Sequence, residues 1–173
     1  QMDFVIKASQ KNIEAQTGGP FAAAIFESTS GKLVSLGVNI VTNQNLSILH
    51  AEMVAISLAQ YKLNTYNLSA NAENTPYSNN HQWQAYHLVT STEPCAMCLG
   101  AIPWSGVQAV ISGASAEDAE AIGFDEGAKP EDWVKTLETR GIQVTKECQQ
   151  THARSVLNTY EQKHGPIYNT KCL

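Results

Sequence analysis

No apolar run in this 173-residue chain comes near the roughly 18 residues that a membrane-spanning helix requires. Basic residues are also scarce. Eleven Lys and Arg face sixteen Asp and Glu, for a net charge of −5. Between positions 117 and 132, seven acids (Glu117, Asp118, Glu120, Asp125, Glu126, Glu131, Asp132) face Lys129 alone. Proteins that grip nucleic acid need basic surface to hold the phosphates, so a small uncharged substrate is expected, with neither nucleic acid nor membrane as partner. Four cysteines are too few for a disulfide scaffold of this length. Two of them form a C-x-x-C pair that needs reduced thiols, which makes the cytosol the expected compartment; Cys148 and Cys172 read as a core and a tail cysteine. Gln1 to Lys11 lacks the pattern of a secretory leader, and there is no internal repeat or low-complexity tract. The remainder is ordinary globular composition, 43% hydrophobic and 16% charged, enough for one domain over 1–173 with a substantial core.

Periodicity and breakers divide the chain into ten elements. Met2 to Gln16 is expected as an amphipathic helix stopped by Thr17-Gly18-Gly19-Pro20. Phe21 to Phe26 and Leu33 to Val41 read as a hairpin, and Thr42 to Leu49 as a polar loop. A helix follows over His50 to Tyr61, with Ala51, Val54, Ala55 and Leu58 as its apolar stripe. Residues 64–84 are polar and expected as a mobile surface connection. Ala85 to Ser91, Pro94 to Ser105 and Val107 to Ser112 form a strand, helix and strand, short enough to imply a parallel right-handed crossover. The acidic stretch 114–129 reads as loop with a helical turn. Pro130 to Arg140 is a helix with a proline start and acidic first turn. Ile142 to Lys146 is a fifth strand and Gln149 to Lys163 the last helix. This order predicts a three-layer α/β/α sandwich around a five-stranded mixed sheet.

Two distant segments carry the chemistry. Cys95 and Cys98, in Glu93-Pro94-Cys95-Ala96-Met97-Cys98, have metal-pair spacing at the start of a helix, where the dipole and free N–H groups favour thiolate. His50, at another helix start, is the expected third ligand. Two sulfurs and one imidazole suit zinc, and three protein ligands leave a fourth corner for water. Glu52, two residues past His50, is placed to exchange protons beside that water rather than to ligate. A C-x-x-C could equally be a redox pair or half of a structural zinc site completed by His81, His87 or Cys148. The thioredoxin-like order of a redox motif is absent, and none of those three residues has paired spacing. H-x-E together with P-C-x-x-C is also a deaminase signature.

At these motifs the chain resembles the cytidine-deaminase-like superfamily, through Gly19-Pro20-Phe21-Ala22-Ala23-Ala24, His50-Ala51-Glu52 and Glu93 to Ile102. A narrower resemblance to bacterial guanine deaminases runs through Asp118 to Gly127, with its Gly-Phe-Asp-acid segment, through Trp104, and through the tail Ile167-Tyr168-Asn169. The resemblance implies one zinc ion per subunit and the conversion of guanine and water to xanthine and ammonia. It implies that Glu126 is a second carboxylate handling the amine beside Glu52, and that Asn39 binds the base. Ala51 would offer a backbone group, and Phe21, Trp104 and Phe124 would wall the pocket. It further implies a homodimer whose C-terminal segment, from about 149, is exchanged between subunits. Because the chain runs past Tyr168 to Leu173, while some relatives end near a terminal tyrosine, no site role is assigned to Tyr168. Aminotriazines are expected side substrates. The rivals are a nucleoside deaminase acting on guanosine or cytidine, a tRNA adenosine deaminase, and a zinc-stabilised binding module without catalysis.

Overall fold

The structure is a computed structural model that describes residues 1–69 and 85–169. One five-stranded sheet runs through it in the order β2-β1-β3-β4-β5. Its strands are β1 (Ala22–Glu27), β2 (Leu33–Val38), β3 (Tyr86–Thr92), β4 (Ala109–Ala114) and β5 (Gln143–Thr145). β1 is antiparallel to both β2 and β3, whereas β3, β4 and β5 are mutually parallel. The sheet is therefore mixed, and the expected hairpin and parallel crossover are both present.

The period-two alternation of β1 divides the core. Ala22, Ala24 and Phe26 face one cluster, which also holds Val5, Ile6 and Ile13 of α1 (Met2–Glu14), Ala119 of α5 (Ala116–Ala121) and Val156, Leu157 and Tyr160 of α7 (Gln150–Gln162). Ala23 and Ile25 face the other, with Ala51, Ala55 and Ala59 of α3 (Ala51–Leu63), Leu99 and Ile102 of α4 (Ala96–Ser105) and Trp133 and Leu137 of α6 (Trp133–Glu138). Helices on both faces of one sheet make the expected three layers.

Local differences from the sequence reading have local causes. The polar stretch after β2 holds one helical turn, α2 (Val41–Gln44), closed by Asn45 in the left-handed region at φ 55°. The acidic stretch opens on a reciprocal capping box: Ser115 Oγ accepts from Asp118 N–H at 3.2 Å, and the Asp118 carboxylate accepts from Ser115 N–H at 3.0 Å. On α3 the buried face is Ala51, Glu52, Ala55, Ile56 and Ala59, while Leu58 is 48% exposed. The helix is thus rotated from the expected stripe, because its alanines let it lie close on β2. Of the expected surface connection over 64–84, residues 70–84 lie outside the described residues. Its start is anchored rather than free: Leu68 is 1% exposed and its N–H donates to Ser105 O at 2.8 Å.

The close approach of α3 to β2 passes over Gly37. A Cβ there would lie 2.2 Å from Ala51 O and 2.5 Å from Ala55 N, so a side chain would push the first turns of α3 away. Gly37→Ala is expected to lower stability by about 1–3 kcal/mol, the usual effect of overpacking. A denaturant titration checks this, and an unchanged midpoint would show that the contact yields without strain.

Candidate metal centre and active site

The site lies at the carboxyl ends of the parallel strands, where open α/β sheets leave a crevice. Chain geometry alone brings its parts together. β3 ends at Thr92 and delivers Cys95 as the N-cap of α4, with Cys98 in the first turn. His50 is the N-cap of α3. The ligand atoms of His50, Cys95 and Cys98 all lie within 4.8 Å of one another, and Cys95 Sγ is 3.4 Å from His50 Nδ1. A tetrahedral zinc with ordinary bond lengths separates such atoms by roughly 3.5–3.8 Å, so spacing and donor type both fit that ion. Among the described residues no fourth side chain joins the group. His87 is bonded instead to Ser28 Oγ at 2.9 Å and Gln1 Oε1 at 2.8 Å, Cys148 lies outside the group, and His81 is not among the described residues.

The two sulfurs are not equivalent. The hydrogen bond from Cys98 holds the Cys95 thiol down to about 4, against burial and helped by His50. The same shared proton, burial and the nearby Glu52 push the Cys98 thiol far up. Burial opposes a charge on His50, but the Cys95 sulfur outweighs it and the imidazole pKa is raised. In the metal-free chain Cys98 therefore keeps its proton, and a cation must displace it.

Glu52 stands beside this group without joining it. It is 6% exposed, Thr90 Oγ1 donates to its Oε1 at 3.1 Å, and Cys98 Sγ donates to its Oε2 at 3.4 Å. Burial, and then the Cys95 sulfur, raise its pKa. Glu126 is similarly buried, at 7% exposure, and its Oε2 has no hydrogen-bond partner among the described residues. Burial first, then Cys95 and Glu52, push its pKa up to about 8. Both carboxyls line a cavity of about 380 Å³ together with His50 and Cys95, within the size range of small-molecule sites.

Asn39 lines the same cavity and is 1% exposed. Its Oδ1 accepts from the N–H groups of Gly19 at 3.4 Å and Val41 at 3.3 Å. Among the described residues its Nδ2 has no partner, so the amide is oriented with its donor left over. Ala51, Phe21 and Phe124 also line the cavity, the two rings meeting edge to face at 4.8 Å. Trp104 does not. It is 83% exposed and absent from the lining. Cys98, Leu99, Ile102 and Ser105 form the buried face of α4, and Trp104 falls about 240° around the helix from Cys98, so it points away.

Tyr168 is the residue that the sequence left without a role. It lines the cavity, meets Phe124 edge to face at 5.2 Å, and has a hydroxyl that burial pushes far above its usual pKa. Gly19 is needed opposite it, since a Cβ there would lie 2.5 Å from the Tyr168 hydroxyl. The tail's likeness marked this stretch, but no periodicity shows that a segment beyond Gly165-Pro166 returns to the site.

The family model for the cytidine and deoxycytidylate deaminase zinc-binding region matches residues 1–114. The guanine deaminase of Bacillus subtilis is 36% identical over 132 residues, which is 76% of this chain and 74% of that protein. A guanine deaminase from Nitrosomonas europaea has a solved structure similar at a TM-score of 0.85, with 45% identity, covering 93% of this chain and 82% of that one. A protein named NE0047, solved in complex with 2,6-diaminopurine, is similar at a TM-score of 0.87 and 46% identity, covering 99% of this chain and 85% of that one.

The raised Glu126 pKa has a measurable consequence for stability. Between its ordinary value of 4.5 and about 8, folded Glu126 keeps a proton that the unfolded chain has lost. The folded state then binds more protons, and its stability falls as pH rises through that window, by up to about 1.4 kcal/mol per unit. Metal-free Glu126→Gln should lack this contribution. Its melting temperature is expected to exceed that of the unsubstituted chain near pH 8 and to approach it near pH 5; parallel melting curves at both pH values would contradict the burial argument.

Proposed function

Because the chain belongs to the family of the cytidine and deoxycytidylate deaminase zinc-binding region, we propose that it is a zinc-dependent aminohydrolase that converts guanine and water to xanthine and ammonia. The observation that carries this reading is the meeting of three unlike features in one cavity: a His/Cys/Cys corner, two buried carboxyls with raised pKa values, and an Asn39 amide whose donor has no partner.

A zinc ion, one per chain, would be held by His50, Cys95 and Cys98 and would supply the Lewis acidity that brings the pKa of water toward neutrality. The remaining work falls to the side chains. Asn39 Nδ2 donates to an acceptor on the purine edge, since its oxygen is already held by backbone N–H groups. Phe21 and Phe124 confine the flat ring. Ala51, first in α3, offers a backbone N–H of the kind a helix's first turn leaves unpaired. Glu52 takes a proton from the attacking water and passes it to a ring nitrogen as the C–O bond forms at the amine-bearing carbon. Glu126, whose pKa burial raises in the metal-free chain, gives a proton to the departing amine as the C–N bond breaks and regains one from the added hydroxyl as the C=O bond forms. Two carboxyls with separate roles, set by their environments, make a common arrangement for acid–base work.

Tyr168 lines the cavity beside Phe124, and a tail that closes there would deny a ribose its room, which favours the free base over a nucleoside. The acidic surface disfavours a tRNA substrate. By resemblance the segment from about 149 is proposed to be exchanged between the subunits of a homodimer. In that case the tail that closes each site comes from the partner.

Three outcomes are expected. Glu52→Gln should retain zinc and lose about 10²–10⁴-fold in kcat, the usual weight of a general acid–base group; normal turnover would contradict the mechanism. In an ammonia-release panel of bases, nucleosides and aminotriazines, guanine should lead, and a preference for guanosine would move the assignment to nucleosides. Mixing Glu52→Gln chains with chains truncated after position 163 should restore activity if the tail is exchanged. No recovery would confine each site to one subunit.

A further inference from the structure

The segment carrying Glu126 is held at both ends by side chains from other parts of the chain. On the far side, Lys129 Nζ lies 2.9 Å from Glu93 Oε2, in an ion pair whose side chains are 10% and 3% exposed. Lys129 also sits over the Trp133 ring, 4.6 Å from its centroid. Lys146 Nζ approaches the other Glu93 oxygen at 2.8 Å. On the near side, Asn169 makes a two-point amide contact: Oδ1 accepts from Asp125 N–H at 3.1 Å, and Nδ2 donates to Gly123 O at 2.8 Å. Between these points Glu126 O accepts from Ala96 N–H at 2.9 Å, in the first turn of α4 directly after Cys95. Gly127 has a φ of 73°, and a Cβ there would lie 3.1 Å from Ala96 Cβ. Among the described residues no hydrogen bond holds Glu126 Oε2, so the backbone that carries Glu126 matters for its placement.

We propose that Lys129 is a positioning residue for Glu126: its buried pair with Glu93, stacked on Trp133, fixes the 123–129 loop so that the Glu126 carboxyl faces the cavity. Glu93 stands two residues before Cys95, at the end of β3, and the Lys129 pair therefore ties the loop to the strand end that delivers the metal-binding sulfurs. A buried Lys–Glu pair is poor evidence of net stabilisation, but it specifies one geometry strongly because an unpaired charge there is costly. Arginine is the conservative replacement, since it keeps the charge and can stack on Trp133.

The inference rests on the proposed role of Glu126, and the experiment separates the two. Lys129→Met, Lys129→Arg, Glu126→Gln and the Lys129→Met/Glu126→Gln double variant are compared for zinc content, kcat and KM on guanine, and amide hydrogen exchange over residues 123–129. Lys129→Met is expected to keep its zinc, to change KM by less than about threefold, to lose about tenfold or more in kcat, and to exchange faster across the loop. Lys129→Arg should recover most of the kcat. In the Glu126→Gln background Lys129→Met should cost nothing further, because residues acting through one group are not additive. An equal loss of kcat in that background, or unchanged exchange in the loop, overturns the proposal. If Glu126→Gln turns over normally, the catalytic role of Glu126 fails, and the exchange data still decide whether Lys129 holds the loop.

Discussion

Everything in this molecule answers to one requirement: an imidazole must meet two sulfurs that lie 45 and 48 positions further along the sequence, inside a few ångströms, in a place where burial resists charge. His50, Cys95 and Cys98 achieve this because each stands at a helix start, and each helix start is fixed by its packing against the same sheet. α3 is brought down by its alanines onto the glycine of β2, and α4 follows directly from the end of β3. The helix ends also supply a field that favours sulfur anions. The sheet order then opens a crevice in front of these atoms, and the loop after α5 and the C-terminal tail cover it.

The second organising constraint is excess negative charge. Two carboxyls and two sulfurs share a largely buried volume with one imidazole, and their pKa directions record the conflict: Glu52, Glu126 and Cys98 rise while Cys95 falls. A divalent cation is the charge this arrangement lacks, which is an argument for the metal independent of ligand spacing. The same conflict separates the carboxyls chemically. Glu52 is bonded to Thr90 and Cys98, whereas Glu126 faces the cavity with an oxygen unpaired. The nearest cationic side chain on the loop, Lys129, is engaged by Glu93 and does not ligate.

The layers, the mixed sheet and the His/Cys/Cys corner were legible in the sequence because they are written in short-range patterns: period-two and helical alternation, and two fixed-spacing motifs. The rotation of α3 was not, because alanine-mediated closeness to Gly37 overrides the stripe of larger residues. The likeness puts Trp104 in the pocket wall, whereas the phase of α4 relative to Cys98 turns it outward from this chain's own cavity. Tyr168, the unpaired Asn39 donor and the Glu93–Lys129 pair depend on contacts between residues far apart in the chain. No periodicity encodes such contacts. Residues 64–69 taught a smaller lesson of the same kind: a polar stretch can still be pinned by one leucine.

The central claim is that zinc is held by three protein side chains and keeps one position for solvent. X-ray absorption at the zinc edge of the loaded protein tests it most directly. The account predicts two sulfurs at about 2.3 Å and two nitrogen or oxygen neighbours at about 2.0–2.1 Å, only one of them imidazole. A third sulfur or a second imidazole in the coordination shell would contradict it.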